Sequence, residues 1–137
     1  MVCGNYVDER VTTIDFPEDI NNTSYITRKQ NLLLDNAKYD TLVFLRDYEF
    51  LWNDWVEGFL YWNTLDRGLW NVMMSPVLNK DGTRYRDVCH YHNDDVPTHS
   101  LPPYKDVDIS RLYLNGGYFV SKRSFLSKVR WDDYKQL

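Results

Sequence analysis

A chain of 137 residues fits a single domain with an ordinary core. Hydrophobic residues make up 43% and charged residues 26%, which excludes a disordered chain, and the longest apolar runs, such as Leu42 to Leu45, are far too short to span a bilayer. A net charge of −4 argues against a nucleic-acid binder held by phosphate contacts.

The opening Met1-Val2-Cys3-Gly4-Asn5-Tyr6 lacks the basic and apolar stretches of a secretory leader. The expected location is therefore the cytoplasm, with Cys3 and Cys89 as reduced thiols. Without a leader, the sequon Asn22-Thr23-Ser24 carries no weight. The 11 Tyr and 5 Trp suit both core packing and sugar stacking, with core packing the commoner use.

In chain order, Val11 to Phe16 alternates and is β-branched, as in a short strand ending at Pro17. Asn21 to Ser24 supplies cap candidates for a helix from about Tyr25 to Ala37. Ile26, Leu33 and Ala37 are expected to line its inner face, with Arg28, Asn31 and Asp35 on another. Thr41 to Leu45 is expected as a strand buried on both faces. Asn53 is a cap candidate for a second helix with Trp55, Phe59 and Trp62 inward. Val72 to Met74 and Pro76 to Leu78 read as extended, and Lys80-Asp81-Gly82-Thr83 is a turn signal for a hairpin returning through Arg84-Tyr85-Arg86. Asp94 to Tyr104 reads as a loop. Leu112 to Leu114 and Tyr118 to Val120 read as strands interrupted by Asn115-Gly116-Gly117, and a last helix is expected from near Ser121.

Three groups of residues have chemical potential beside a plain structural use. An apolar strand tipped by Arg46-Asp47-Tyr48-Glu49 sits where open α/β sheets place ligands, and a carboxylate there can hold a divalent metal against a diphosphate; a solvated strand end is the alternative. Arg28, Lys29 and Asn31 offer positive charge and amide donors to a phosphate, base or ribose, or simply form a solvated helix face. Asn115-Gly116-Gly117 marks either a bulge or a close approach of ligand to backbone. His90-Tyr91-His92 presents two imidazoles compatible with zinc, but spacing indicates no complete ligand set. Glycine-rich phosphate loops, nucleophile elbows and zinc-protease motifs are missing.

Taken in order, Tyr25-Ile26-Thr27-Arg28-Lys29-Gln30-Asn31-Leu32, Ala37-Lys38-Tyr39-Asp40, Arg46-Asp47-Tyr48, Asn79 through Asp87, and Asn115-Gly116-Gly117-Tyr118-Phe119-Val120-Ser121-Lys122-Arg123 resemble segments of a glycosyltransferase family of the A-type, nucleotide-sugar-binding fold, of the kind that builds viral and bacterial surface polysaccharide. Residue 46 is Arg where that family tends to have His, and only one acid, Asp47, matches where many relatives have two.

The resemblance implies an α/β domain over residues 1–137, with a mixed, mostly parallel sheet flanked by helices. It also implies a fragment that lacks the first βαβ unit and the C-terminal acid/base segment. The implied activity is transfer of a sugar from a nucleotide-sugar donor to a glycan acceptor. Donor binding would fall to Arg28, Lys29, Asn31, Arg46 and Asp47, and Asp47 would be the catalytic and metal-holding residue for Mn2+ or Mg2+. The sugar or acceptor would meet Asn115, Gly116, Gly117 and Tyr118. The setting would be the cytoplasm of a bacterial or virus-infected cell, with no nucleic-acid partner and no membrane span. A non-catalytic carbohydrate-binding or interaction module is the rival reading.

Overall fold

The computed structural model describes residues 1–3, 7–16, 25–46, 49–85, 88–93, 96–100, 112–114 and 117–132. The chain divides into two compact units, one of Met1–Leu42 with Lys122–Leu137 and one of Val43–Ser121.

In the first unit, β1 (Val2–Cys3) pairs in parallel with β2 (Thr13–Ile14), and α1 (Tyr25–Asn36) packs near β1 and near α3 (Arg123–Val129). The buried residues of α1 are Asn31 and Leu34, and Ala37, just past its end, continues the three-residue steps. Ile26, expected inside, is 50% exposed. The helix is thus turned from the expected facing, because Asn31 is drawn inward by the backbone of Trp131. The Asn31 Nδ2 donates to Trp131 O at 2.9 Å, and Trp131 N donates back to Asn31 Oδ1 at 3.2 Å. A buried amide that satisfies both the N–H and the C=O of one residue is stabilising, whereas an apolar residue there would leave them bare.

Two further ties join the same parts of the chain. Arg130 forks onto Asp35 at 2.7 and 3.0 Å. Asp40 accepts Arg123 N at its carbonyl (2.6 Å) and Ser124 N at its Oδ1 (3.2 Å), so the start of α3 is capped by a residue 84 positions away in sequence. Leu126 is the buried residue of α3.

In the second unit, α2 (Trp55–Leu65) carries none of its residues fully buried. Trp55 and Phe59 face the core as expected, but Trp62 is exposed, and Asn63 takes the inner place by accepting the Trp70 indole N–H at 2.7 Å. The residue at the N-cap is Asp54, not Asn53, and it makes no side-chain cap bond. The helix ends in paired bonds from Gly68 N to Asn63 O and from Arg67 N to Thr64 O, with Arg67 at φ 51° and Gly68 at φ 68°. This is the Schellman arrangement, which needs a left-handed residue just past the last turn.

The sheet topology corrects the expected fold class. β4 (Val72–Met73) pairs antiparallel with β8 (Tyr118–Lys122), and β8 lies between β4 and β3 (Thr41–Leu45). β5 (Val88–Asn93) pairs antiparallel with both β6 (Val96–Ser100) and β7 (Leu112–Leu114). Among the described residues β1 and β2 pair in parallel, while β4–β8, β5–β6 and β5–β7 pair antiparallel, which is not a mostly parallel sheet flanked by helices. For β5 and β6 the reason is connection length. Parallel neighbours need a crossover of roughly a dozen residues or more. Only two residues separate Asn93 from Val96, so the chain can only turn back on itself.

Two further expectations change with it. The segment read as a loop contains β6, which tolerates Pro97 because it is an edge strand with an irregular register opposite Tyr91. β3 is not buried on both faces: Leu42 and Phe44 are half-buried, while Thr41, Val43 and Leu45 are exposed.

The hairpin at Asp81 forms as expected. Leu78 bridges Arg84, Asn79 N donates to Thr83 O at 2.7 Å, and Gly82 occupies φ 81°. Asp81 Oδ1 accepts both the backbone N (2.9 Å) and the hydroxyl (2.6 Å) of Thr83, and the hydroxyl bond is the main reason its carboxyl sits below the usual range.

These ties set an order of stability effects. Asn31→Ala should lower the unfolding free energy by about 1–3 kcal/mol, since it strands two backbone groups. Asp35→Asn should cost less than about 1 kcal/mol, because its pair with Arg130 is largely exposed. The Arg130 hydrogen bonds hold the Asp35 carboxyl below the ordinary carboxylate range. Its contribution is therefore complete above about pH 4, the unfolded value, and fades as pH falls through the lowered folded value. Urea unfolding from pH 7 toward pH 3 should show the Asp35→Asn deficit shrinking while the Asn31→Ala deficit persists.

Candidate functional site

β8 is the interior strand of its sheet, and its residues are nearly continuously buried. Tyr118 and Val120 point into a core with Trp70, packed by Trp55, Phe59, Met73, Met74 and Val77. Phe119 faces the other side and stacks on Phe44, ring centroids 4.7 Å apart. The polar tips are matched: Trp55 Nε1 donates to the Tyr118 hydroxyl at 2.7 Å, Ser75 Oγ reaches the same oxygen at 3.4 Å, and Ser121 Oγ donates to Asn71 O at 3.0 Å. Tyr118, expected to meet a sugar, thus has its ring in the core and its hydroxyl engaged within the protein.

At the other end of β8 the structure brings two of the predicted patches together. Arg46, just past β3, donates its backbone N–H to Gly117 O at 3.1 Å. Residues 71 apart in sequence, one at the charged strand end and one in the glycine pair, are therefore neighbours. Glu49 closes the junction. Its own N–H donates to Arg46 O at 3.1 Å, and its Oε2 accepts Arg46 N at 3.3 Å. A Cβ built on Gly117 would lie 2.5 Å from Glu49 Oε1. Glycine at 117 is what lets the half-buried carboxylate lie against the backbone.

The remaining predicted residues divide plainly. Asp47, Asn115 and Gly116 lie outside the described residues. Arg28, Lys29 and Asn31 belong to the first unit. There Arg28 is exposed, Lys29 Nζ stands 5.7 Å from the centroid of the Phe16 ring, and Asn31 spends its amide on Trp131. In backbone register His90 stands opposite His99 in the β5–β6 ladder. Among the described residues no group of three or more His, Cys, Asp and Glu side chains gathers as a metal would require.

The residue sequence reasoning underweighted is Glu49. In the sequence it is only the last residue of the charged strand tip, and the contact with Gly117 is what gives it a place. The signal available was the pairing of an acid just after one strand with a glycine just before another. Exposed aromatic rings follow it: Phe50 is 91% and Trp52 is 75% exposed.

Comparison of the chain with protein-family models, with curated proteins and with solved structures returns no match. No helix among the described residues is long and apolar enough to cross a membrane.

The Glu49–Gly117 contact predicts a specific non-additivity. Gly117→Ala meets only the far end of a flexible side chain, so it should destabilise by no more than about 1 kcal/mol while evicting the carboxylate. In a Glu49→Ala background the same substitution should cost nearly nothing. A double-mutant cycle read by thermal unfolding, with the Arg46 amide followed by NMR, checks this.

Proposed function

We propose that the chain acts as a glycosyltransferase, moving a sugar from a nucleotide-sugar donor to a glycan acceptor. The observation that carries this reading is the Arg46 N–H to Gly117 O bond, which makes neighbours of a charged strand end and a side-chain-free stretch of backbone. That pairing suits such a reaction. The departing nucleotide diphosphate gains negative charge as the bond to the anomeric carbon breaks, and an exposed guanidinium at Arg46 can offset it. The close approach to the main chain that a glycine permits is taken at Gly117 by the Glu49 carboxylate, so the exposed Arg46 cation is the group a phosphate would meet. The ordered motifs from Tyr25 to Arg123 support the same reading on residue identity.

In this proposal Asp47 is the carboxylate at the diphosphate, and a divalent ion there, Mn2+ or Mg2+, would neutralise leaving-group charge when bound. Among the described residues no ligand set of three or more His, Cys, Asp and Glu side chains gathers. The reading therefore rests on Arg46 and Gly117, with metal as a variable of its test.

A second reading, carbohydrate binding without transfer, draws support from one fact. Asn31 and Tyr118, two residues expected to touch ligand, instead satisfy the protein's own groups.

Saturation-transfer NMR and calorimetry with UDP- and GDP-sugars, with and without Mn2+, separate the two. Donor binding that rises with Mn2+ is expected, and Asp47→Asn should weaken that metal-dependent part by about tenfold or more, the scale on which lost metal-site contacts act. Unchanged affinity removes Asp47 from the site. Silence across the panel from a folded sample overturns the donor reading.

A further inference from the structure

We propose that α2 is the seat of a reversible, two-fold symmetric dimer, in which the outward face of Gly58, Tyr61, Trp62 and Leu65 packs antiparallel against the same face of a second copy of the chain. The inference goes beyond the glycosyltransferase reading and does not depend on it.

Composition is the first observation. Of the eleven residues of α2 only Glu57 is charged, and the apolar ones lie all round the helix. A helix apolar on every side is normally covered on every side. Here the fold covers one: Trp55 and Phe59 turn to the core, while Val56, Leu60, Tyr61, Trp62 and Leu65 are each more than half exposed. Helical spacing gathers Gly58, Tyr61, Trp62 and Leu65 on one face. The Tyr61 and Trp62 rings meet edge to face there, centroids 5.7 Å apart. Gly58 is the second observation. A glycine in a helix interior is less stable than an alanine, and a Cβ added at Gly58 would meet nothing within 4 Å. Packing among the described residues therefore does not call for that notch. The close approach of another backbone does.

The layout of the face selects a second copy as the occupant. A two-fold axis crossing α2 near Leu60 sets the Gly58 notch of each copy level with the Trp62 ring of the other, so ridge and notch lie on one surface and complete each other. The same axis brings Arg67, just past one end of the helix, beside Asp54 at the opposite end of the second copy. Asp54 is exposed and makes no side-chain cap bond. The other two acids do not oppose this pairing: Glu57 borders the face level with Asn63 of the second copy, and Asp66, three turns beyond Trp55, falls on the inward azimuth. Area agrees. The open parts of the two rings come to about 200–300 Å² per copy. With Leu65 and the polar rim, two copies would bury on the order of 1,000 Å², near the lower bound of specific interfaces, which suits a reversible dimer and not an obligate one. A lipid surface would have to take Asp54 and Glu57 with the rings.

Sedimentation velocity of the full chain, from about 1 to 300 µM, tests this over the range in which a contact of that size dissociates. A species of twice the 16.5 kDa chain mass should grow with concentration. Trp62→Ala should weaken dimerisation about tenfold, the effect of losing an aromatic anchor, with thermal unfolding of the monomer unchanged because the ring is exposed. Gly58→Ala should raise the thermal midpoint of the monomer by about 4 °C, from better helix propensity, and yet weaken the dimer. Asp54→Arg and Arg67→Asp should each weaken it severalfold at low salt, and the two together should restore it, a rescue that antiparallel pairing requires. The proposal is overturned if the chain stays monomeric throughout, if Trp62→Ala or Gly58→Ala dimerises like the wild type, or if the paired charge swap fails to restore association. It is equally overturned if the rings bind phosphatidylcholine vesicles while the protein remains a monomer.

Discussion

A strand with a neighbour on each edge must satisfy its backbone on both sides at once, and β8 is that strand in this protein. The requirement decides what each residue from 117 to 121 does. Val120 and Ser121 meet Met73 and Val72 across the antiparallel ladder. Phe119 spends its ring on Phe44, and Tyr118 spends its ring on the core and its hydroxyl on Trp55. Ser121 is 0% exposed, and its hydroxyl is tolerated there because Asn71 O accepts it. At the upstream end Gly117 offers its carbonyl to Arg46, and through that one bond the charged end of β3 acquires a fixed neighbour.

The first unit solves a different problem by a related device. A short α3 of seven residues cannot be stable by its own propensity, since helix nucleation alone outweighs so few bonds. It is held from outside. Asp40 closes its N-terminus, while Asn31 and Asp35 of α1 take Trp131 and Arg130 just beyond its C-terminus. The contributions differ in kind. The Asn31 amide is 5% exposed and satisfies both backbone groups of the half-buried Trp131, so water replaces it less readily than it does an open ion pair. The Asp35–Arg130 pair is open to solvent, and its worth is correspondingly small.

What the residues disclosed in advance was local order. The bounds of α1 and β3, the presence of α2 and the Asp81–Gly82 hairpin follow from periodicity, turn chemistry and short-range hydrogen bonds, all carried by neighbouring residues. What they hid was facing and pairing. Asn31 reads as polar and therefore outward, and only a partner 100 positions away turns it inward. Trp62 reads as a core residue at helical spacing, but Asn63 displaces it by accepting the Trp70 N–H. The expected parallel sheet failed for the same reason, because strand direction depends on which distant segment arrives alongside. At the site, the pieces around Arg46 and Gly117 were legible separately. Their adjacency was not, and neither was the place of Glu49, because nothing local in Glu49-Phe50-Leu51-Trp52 announces a glycine far downstream.

The same distinction narrows the chemistry. A polar side chain is available to a ligand only if the fold has not already used it, and two of the expected contacts fail that condition. Tyr118 is fixed by Trp55 and Ser75, and Asn31 by Trp131. Exposed side chains near the junction in the second unit include Arg46, Phe50 and Trp52, whereas the half-buried Glu49 carboxylate already accepts the Arg46 N–H and lies against Gly117. On the proposed reading the cation is the group a donor phosphate would meet. The choice between transfer and plain recognition therefore turns on the charged residues at the end of β3, because neutralising them would remove what the proposal offers to a nucleotide diphosphate while leaving the β8 core untouched.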